Sequence, residues 1–316
     1  MIATIDLGGT RTKYGLVNDG RIVASASCPA NAEGSIELHL NAVLEQLRAQ
    51  CVELGTTIES CEGIGVLSTG IVDNRAMQVL STNGKYDDAV GFDFRKWGRE
   101  RAGLELRIEH DARGALLGEW RYGAGRGVDD LLMVTFGTGI GTAVVIDGKL
   151  LTGAHFSGGI LGGHILVKSG GRRCTCGAVG CLESEASGWV LPELVRSHHL
   201  YGKSSLSKLD TIGFKELFAH ATLGDTCARA VQAHCLSIWG EALVSFIHLY
   251  DPHRIIIGGG LMNAGDFVLR SFRKTVDIFM WGDPQQVEIV AAQHPNNVGL
   301  IGAAALFETK PNNLST

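Results

Sequence analysis

The chain of 316 residues has the composition of an ordinary globular protein. It is 45% hydrophobic and 19% charged, which excludes an intrinsically disordered chain, because disordered segments combine low hydrophobicity with high net charge. The length exceeds what one typical core accommodates and predicts two domains. A net charge of -5, with no block of Lys or Arg, argues against a main role in binding nucleic acid or anionic membranes.

The N-terminal residues show no basic segment followed by an apolar one, and no stretch approaches 18 uninterrupted apolar residues. We therefore expect a cytoplasmic protein without a membrane segment. Eight cysteines in such a chain do not predict a disulfide framework, because cytosolic thiols stay reduced. Three of the cysteines crowd together and need a different explanation.

Short β-rich runs alternate with helical patterns along the chain, which indicates an α/β fold. The apolar runs at 2–5, 63–67, 104–108, 131–135 and 254–257 predict strands. Helical spacing of apolar residues predicts helices over 112–122 and 225–249, and Asp251-Pro252 ends the second one because proline cannot continue the hydrogen-bond ladder.

Two halves of the chain share a plan that indicates a duplicated unit. Gly9-Thr10 precedes Asp19-Gly20 by ten residues, and Gly137-Thr138 precedes Asp147-Gly148 by ten residues, at a constant offset of 128. Each copy reads as an apolar strand, a Gly/Thr turn, a second strand, an Asp-Gly hairpin and a third strand. The duplication predicts two lobes, each with one such turn, that close on a phosphate ligand.

The first Gly/Thr turn has the composition of a phosphate-binding loop. In the run Asp6-Leu7-Gly8-Gly9-Thr10-Arg11-Thr12-Lys13, the glycines let backbone N–H groups and the Thr10 hydroxyl approach a phosphate closely. Asp6 is suited to hold Mg²⁺ through water. The run does not fit G-x-x-x-x-G-K-[ST], so it is not a P-loop. The expected phosphate-site residues here are Asp6, Gly8, Gly9, Thr10 and Lys13.

A carboxylate follows the strand predicted over 104–108. Glu109-His110-Asp111 leads into the helix predicted over 112–122, where an Asp is commonly an N-cap. Phosphoryl transfer to a hydroxyl also needs a carboxylate within hydrogen-bond reach of that hydroxyl. Asp111 is the best-placed residue for that role, and the cap and the general base both remain open.

The second Gly/Thr turn repeats the chemistry of the first one in the other half of the chain. It reads Phe136-Gly137-Thr138-Gly139-Ile140-Gly141-Thr142 and does not match a dinucleotide-binding G-x-G-x-x-G before a helix. Either turn alone is weak evidence. Their matched positions favour a nucleotide, with Gly137, Thr138 and Gly139 as phosphate-site residues.

His164, Cys174, Cys176 and Cys181 form the most specific signal in the chain, H-x9-C-x-C-x4-C. Three thiolates and one imidazole complete the tetrahedral shell of Zn²⁺ with no open position, which predicts a structural metal and not a catalytic one. A redox cysteine cluster is the competing interpretation, and it leaves His164 unexplained.

A third glycine cluster, Gly258-Gly259-Gly260, follows the apolar strand predicted over 254–257. Open α/β sheets bind ligands beyond the carboxyl ends of their strands. We assign Gly258, Gly259 and Gly260 to the adenosine part of the nucleotide, against the alternative of a simple strand-to-helix turn.

Together these motifs resemble those of the ROK family of sugar kinases and repressors over residues 5–305. The resemblance is carried by Asp6-Leu7-Gly8-Gly9-Thr10, by Gly137-Thr138-Gly139-Ile140-Gly141, and by His164 with Cys174-Thr175-Cys176-Gly177-Ala178-Val179-Gly180-Cys181-Leu182-Glu183. It implies an actin-like ATPase (ribonuclease H-like) fold with two lobes and a central cleft. It further implies that ATP, with Mg²⁺, phosphorylates a hexose or hexose derivative.

The resemblance also implies roles for individual residues and an organisation into lobes. Asp111 is the implied base, and the implied sugar-binding residues are Asn83, His110, Asp111, His164 and Glu183. Residues 1–111 are expected to form a smaller lobe that a C-terminal helix at about 298–316 completes. Residues 112–297 are expected to form the larger lobe, with the zinc loop and the surface of a homodimer.

Two departures from the family pattern leave the sugar open. The family usually has Asn-Asp where this chain has His110-Asp111, and Gly-Glu-x-Gly-His within the stretch where this chain has Gly159-Ile160-Leu161-Gly162-Gly163-His164. A lost hydroxyl partner in a dry pocket changes selectivity strongly. Fructose, allose, mannose, an N-acetylated amino sugar and a glycoside are all compatible with the pattern.

Two rival functions follow from the same resemblance. A sugar-responsive repressor of this family carries a helix-turn-helix domain before the first phosphate motif, and here Asp6 is already the sixth residue, so we do not expect nucleic-acid binding. A catalytically weak sugar-binding or regulatory protein without a DNA-binding domain is the second rival, because His110 and the missing glutamate alter the site.

Overall fold

The computed structural model describes residues 1–82, 84–294 and 297–308, without the side chain of Asn263. These residues form a mixed α/β fold, as predicted. The strands are β1 Ile2–Leu7, β2 Arg11–Asn18, β3 Arg21–Pro29, β4 Ile64–Ser68, β5 Ile71–Asp73, β6 Gln78–Ser81, β7 Leu106–His110, β8 Leu131–Phe136, β9 Ile140–Ile146, β10 Lys149–Leu150, β11 Arg254–Gly258 and β12 Glu288–Ala291.

The helices lie between these strands and after the last one. They are α1 Ile36–Glu53, α2 Phe94–Trp97, α3 Asp111–Tyr122, α4 Leu182–Ala186, α5 Leu191–Arg196, α6 Phe214–Thr222, α7 Thr226–Tyr250, α8 Phe267–Phe279 and α9 Val298–Ala305. Short 3₁₀ turns also occur, and two of them, Gly162–His164 and Gly260–Ala264, carry residues that the sequence singles out.

The chain divides into two compact units. Unit 1 comprises residues 1–126, 153–157 and 297–308 of the described chain, and unit 2 comprises 127–152 and 158–294. Unit 1 contains a five-stranded sheet in the order β3-β2-β1-β4-β7 and the small β5-β6 sheet, and unit 2 contains a five-stranded sheet in the order β10-β9-β8-β11-β12.

The two large sheets share one topology, which confirms the duplicated plan. In each sheet the first three strands form an antiparallel meander. The fourth strand pairs in parallel with the first strand, on the side that does not contact the second strand, and the fifth strand pairs in parallel with the fourth. The Asp-Gly turns match as well, because Asp19, Gly20, Asp147 and Gly148 all have φ between 47° and 69°. Positive φ at both central residues is the geometry of a type I′ hairpin, which Asp-Gly favours.

The boundary between the units differs from the predicted one after residue 111. Helix α3 lies in unit 1 because it packs on α9 at backbone distance: a Cβ at Gly302 would overlap the carbonyl of Gly114. Part of the predicted C-terminal helix is α9, and residues 309–316 lie outside the described residues. The inclusion of 153–157 in unit 1 has no counterpart in the sequence pattern.

The helix predicted over 225–249 is α7. Its first turn is capped by Asp225, which accepts a hydrogen bond from Ala228 N at 2.9 Å, and Asp251 ends it in a left-handed conformation. Among the described helices α7 is long and apolar enough to cross a membrane by composition. Its Trp239 and Leu243 are buried in the core of unit 2, so we interpret it as a core helix.

Candidate active site

The first Gly/Thr turn joins β1 to β2 in unit 1. A Cβ at Gly8 would overlap the carbonyl of Arg11, so the turn can be this tight only with glycine there. Gly8 N donates to Asp6 O at 3.0 Å. The N–H groups of Gly9 and Thr10 donate to none of the described residues, and the Thr10 side chain is exposed. These groups can therefore bind an anion.

A network of buried hydrogen bonds supports the first Gly/Thr turn. The Tyr86 hydroxyl donates to Gly8 O at 3.2 Å and also contacts the Thr12 hydroxyl, which lies 2.7 Å from His39 Nε2. Tyr86 is fully buried and His39 nearly so. Buried polar groups that are all partnered make a backbone turn rigid, so the turn is held in place before any ligand binds.

Lys85 is a cation that the sequence pattern did not indicate. A Cβ at Gly9 would overlap the Lys85 side chain, so this exposed ammonium lies against the first turn. Nothing in the local sequence links it to Gly9, since 76 positions separate the two. A lysine at a cluster of free N–H groups adds a point charge for an anionic ligand.

Asp6, Lys13 and Asp111 come together at the carboxyl end of the parallel strands of unit 1. Asp6 is the cross-strand neighbour of Lys13. Burial and the negative charge of Asp111 raise the pKa of Asp6 to about 6, and the ammonium of Lys13 only partly offsets them. Carboxylates whose negative charges act on each other favour a divalent cation nearby, which is compatible with the predicted role of Asp6 in holding Mg²⁺.

The raised pKa of Asp6 predicts that unit 1 is more stable in mild acid. The folded state binds the proton more tightly than the unfolded state, so the charged carboxylate costs stability above pH 6, and the cost disappears as the pH falls towards 3. We estimate this cost at about 3 kcal/mol. Thermal unfolding should show that Asp6→Asn is more stable than the wild type at pH 7.5, and that the difference becomes small by about pH 3, below the pKa of the unfolded carboxyl. Equal melting temperatures at pH 7.5 would contradict this.

Asp111 is the first residue of α3, and the N-cap is His110. The imidazole Nδ1 of His110 accepts from Ala112 N at 3.1 Å, and Asp111 Oδ1 accepts from the same N–H at 2.7 Å. The prediction that Asp111 could serve as the N-cap is therefore wrong, because the preceding residue occupies that position. Asp111 Oδ2 accepts no hydrogen bond from the described residues, and its side chain is 40% exposed. This oxygen is free to accept a proton.

The second Gly/Thr turn joins β8 to β9 in unit 2. Two carbonyl groups of this turn are hydrogen-bonded within unit 2: Gly137 O accepts from Gly188 N at 3.0 Å, and Thr138 O accepts from Trp189 N at 2.9 Å. The N–H groups of Thr138 and Gly139 have no acceptor among the described residues. This turn thus presents free N–H groups in the same way as the first one.

The third glycine cluster lies beside the second turn. Gly258 ends β11, which is parallel to β8, and Gly259 has φ of 84°. A Cβ at Gly259 would overlap the backbone of Phe136, so the two segments approach at backbone distance. The glycine cluster leads into the 3₁₀ turn Gly260–Ala264. The structure therefore places both predicted nucleotide segments of unit 2 at one end of the sheet.

The four predicted zinc ligands converge in unit 2. Their ligand atoms all lie within 4.8 Å of one another. Cys174 Sγ is 3.5 Å from His164 Nδ1, and Cys176 Sγ is 3.6 Å from Cys181 Sγ. A tetrahedron with Zn–S of about 2.3 Å and Zn–N of about 2.0–2.1 Å has edges of about 3.5–3.8 Å. The donor set and its spacing therefore fit Zn²⁺.

The two thiols Cys176 and Cys181 differ in acidity. Burial raises the pKa of the Cys181 thiol to about 12, whereas hydrogen bonds, first of all from the backbone of Ala178, lower the pKa of Cys176. Cys181 by itself is therefore a weak nucleophile, and the exposed Cys176 is the more nucleophilic of the two. A bound cation would remove the proton of Cys181.

Glu183 links the cysteine loop to the second Gly/Thr turn. It lies in α4, directly after the ligand Cys181 and Leu182, and its Oε2 accepts from Ile140 N at 2.8 Å. One carboxylate oxygen of Glu183 is thus occupied by a hydrogen bond within the protein. The sequence predicted only a sugar contact for Glu183, because the link to Ile140 joins residues 43 positions apart. Asn83, another predicted sugar residue, lies outside the described residues.

The comparisons with known proteins agree with these motifs. The ROK family profile matches residues 2–310. The glucokinase of Thermotoga maritima is 32% identical over 313 residues, which cover 97% of this chain and 96% of that enzyme. The beta-glucoside kinase of Klebsiella pneumoniae is 28% identical over 97% of this chain and 95% of its own length.

Among solved structures, a ROK family glucokinase from Streptomyces griseus, crystallised with glucose and AMPPNP, has a TM-score of 0.77. It is 31% identical and covers 96% of this chain and 98% of its own. The actin-like ATPase fold that the sequence implies is thereby confirmed. A family profile that spans nearly every residue, and an enzyme 32% identical over 97% of the chain, lead to one assignment: the chain belongs to the ROK family.

Proposed function

We propose that this protein is an ATP-dependent sugar kinase that transfers the γ-phosphoryl group to a hydroxyl of a hexose or hexose derivative. The observation that carries the proposal is the pairing of a free carboxylate oxygen on Asp111 with the neighbouring Asp6 and the free N–H groups of Gly9 and Thr10. The proposed general base, the proposed cation-binding carboxylate and these phosphate-binding N–H groups thus all belong to unit 1. Relatives named glucokinase and beta-glucoside kinase support the same reaction class.

Asp111 acts as the general base. Its Oδ1 is held by Ala112 N, so Oδ2 is the oxygen that accepts the hydroxyl proton of the sugar. The deprotonating hydroxyl oxygen forms the bond to the γ-phosphorus as the bond to the β-phosphate oxygen breaks, and the proton ends on Asp111.

The nucleotide is bound by backbone donors and cations. The proposed phosphate donors in unit 1 are the free N–H groups of Gly9 and Thr10, with the ammonium of Lys85 as an added charge. In unit 2 the proposed donors are the free N–H groups of Thr138 and Gly139, and residues 258–260 are assigned to adenosine. Asp6 would hold Mg²⁺ through water, and the ion would supply positive charge for the phosphates. The effect of the Asp111 charge on the pKa of Asp6 fits this role, because a nearby cation would reduce the repulsion between the two carboxylates.

Zinc at His164, Cys174, Cys176 and Cys181 is structural in this proposal. Four protein ligands leave no position for water or sugar. Since Nδ1 of His164 faces the thiols, the other edge of the ring remains for the sugar. Glu183, directly beyond the loop, has one oxygen left for a sugar hydroxyl after its bond to Ile140.

A panel of sugars tests the reaction. ATP consumption by the purified protein should rise above background with at least one of glucose, fructose, mannose, allose, N-acetylmannosamine and an aryl β-glucoside. The position of the phosphate in the product then identifies the hydroxyl. If no sugar stimulates ATP consumption while calorimetry shows that one of them binds, the rival function, a sugar-binding regulatory protein, replaces the kinase. His110, in place of the usual Asn, and the missing glutamate in the stretch 159–164 are what favour that rival.

The protein is proposed to be a cytoplasmic homodimer with no nucleic-acid or membrane partner. An apolar patch on unit 2 supports a dimer surface: Trp281 is 91% exposed, and Leu249, Ile278 and Phe279 are also exposed. The patch lies at the adjacent ends of α7 and α8, because Trp281 N donates to His248 Nε2. Exposed apolar clusters of this kind are typical of interfaces.

Substitution of this patch tests the dimer. Light scattering at micromolar concentration should give twice the chain mass for the wild type and the chain mass for a Trp281→Asp/Phe279→Ser variant, because a buried charge cannot be accommodated in an apolar interface. Leu223→Ser, which alters an equally exposed leucine elsewhere in unit 2, is the matched control and should leave the mass unchanged. A monomeric wild type contradicts the dimer.

A further inference from the structure

A buried ion pair lies beside the carboxylate that we propose as the base. Arg113 and Glu109 have side chains 0% and 1% exposed, and Arg113 Nη1 is 3.2 Å from Glu109 Oε1. Moving two charges out of water costs free energy, and the attraction between the two charges does not always compensate for that cost. Such a pair is therefore weak evidence for a role in stability alone.

Glu109 holds the end of β7. Its Oε1 also accepts from His110 N at 2.8 Å, and its Oε2 accepts from Asn74 Nδ2 at 2.6 Å. Both oxygens are therefore partnered, as a buried carboxylate requires. The residues that they fix are those immediately before Asp111, so the pair anchors the junction from β7 to α3.

Arg113 also forms a hydrogen bond with the segment 153–157. Its Nη2 donates to Phe156 O at 2.8 Å. Within the described chain, residues 153–157 make no backbone–backbone hydrogen bond, although they pack with unit 1. Phe156 has a φ of 58°, unusual for an aromatic residue, and the Arg75 guanidinium lies 5.7 Å from its ring centroid. An anchor from outside the segment is needed to hold this conformation.

We propose that Arg113 is a positioning residue for the acceptor sugar. Two nitrogens of one guanidinium tie residues 153–157 to the junction that carries Asp111, so that the Phe156 segment forms a fixed wall beside the base. The proposal rests on the proposed function, since it takes Asp111 as the base. Arginine suits the task because its planar fork donates to two acceptors at once, whereas the single ammonium of lysine is a point charge.

The experiment separates charge pairing from positioning. Arg113→Met leaves Glu109 buried without its cation and should lower the melting temperature. The double variant Glu109→Gln/Arg113→Met removes both charges and should restore the melting temperature, because neutral replacements of a buried pair are well tolerated. It still lacks the donor to Phe156 O. Arg113→Lys keeps the charge and is the second variant, in case the double variant does not fold.

In the double variant we expect chymotrypsin to cleave after Phe156 at least about 10-fold faster than in the wild type, because the charged hydrogen bond that holds the segment is lost. Sugar kcat/KM should stay roughly 10- to 100-fold lower, with KM for ATP changed less than about twofold. Arg113→Lys should behave in the same way. Recovery of both protease resistance and sugar kinetics together with the melting temperature overturns the proposal. If the wild type phosphorylates no sugar, the kinase function fails, while the cleavage rate after Phe156 still decides whether Arg113 anchors the segment.

Discussion

Asp111→Asn is expected to lower kcat by about 10²- to 10⁴-fold on the best sugar. The asparagine can keep the acceptor that Ala112 N uses, so the start of α3 should persist. Its amide nitrogen, in place of Oδ2, cannot accept a proton. The variant should also melt at a higher temperature near pH 7, because Asp6 loses the neighbouring charge that raises its pKa.

Steady-state kinetics and nucleotide titration check this prediction together. KM for ATP and the affinity for AMPPNP should stay close to wild-type values, since the first-turn donors are unaltered. Asp19→Asn is the matched control, because it makes the same change of charge at a hairpin at the opposite end of β1. Turnover of Asp111→Asn close to that of the wild type would rule out Asp111 as the base.

Cys176→Ser is expected to abolish tight zinc binding and to lower thermal stability and sugar turnover together. Structural zinc supplies on the order of 10 kcal/mol to small closed sites, so the loop between His164 and Cys181 should lose its fixed conformation. Because Glu183 follows the loop and accepts from Ile140 N, the second Gly/Thr turn should loosen as well. We therefore expect sugar kcat/KM to fall at least about 100-fold, with a smaller rise in KM for ATP.

Elemental analysis should find one zinc per wild-type chain and little in Cys176→Ser. Cys28→Ser, which alters a half-buried cysteine outside the loop, is the control and should retain the metal. Zinc uptake should also release protons, because the thiol of Cys181 is protonated at neutral pH without the metal. Absence of zinc from the purified protein, or full activity after its removal, would refute the structural role.

The elements that could be predicted are those whose signal is local. The alternation of apolar runs located β1, β4, β7, β8 and β11, and the Asp-Gly pairs located both hairpins, because their positive φ is a property of two adjacent residues. The four ligands of the cysteine loop could be predicted for the same reason, since they lie within 18 positions of one another. Periodicity and spacing carry such information directly.

The parts that could not be predicted depend on contacts between distant residues. Lys85 reaches Gly9, Glu183 reaches Ile140, and Arg113 reaches Phe156, and none of these pairs shares a motif. The cap of α3 was missed for another reason. An Asp is the usual N-cap, and only the backbone geometry shows that His110 takes that position. Tertiary packing decides each of these cases.

The two sheets share a strand order but not the length of their outer strands. In unit 1 the meander ends in β3, nine residues long, whereas in unit 2 it ends in β10, two residues long. In the described chain β3 pairs with β2 alone and so leaves one row of its N–H and C=O groups for another chain to join. Its alanines and serines have low hydrophobicity, and Pro29 lacks an N–H at its end. The low hydrophobicity of β3 and the proline at its end therefore oppose aggregation by strand addition at this long edge strand.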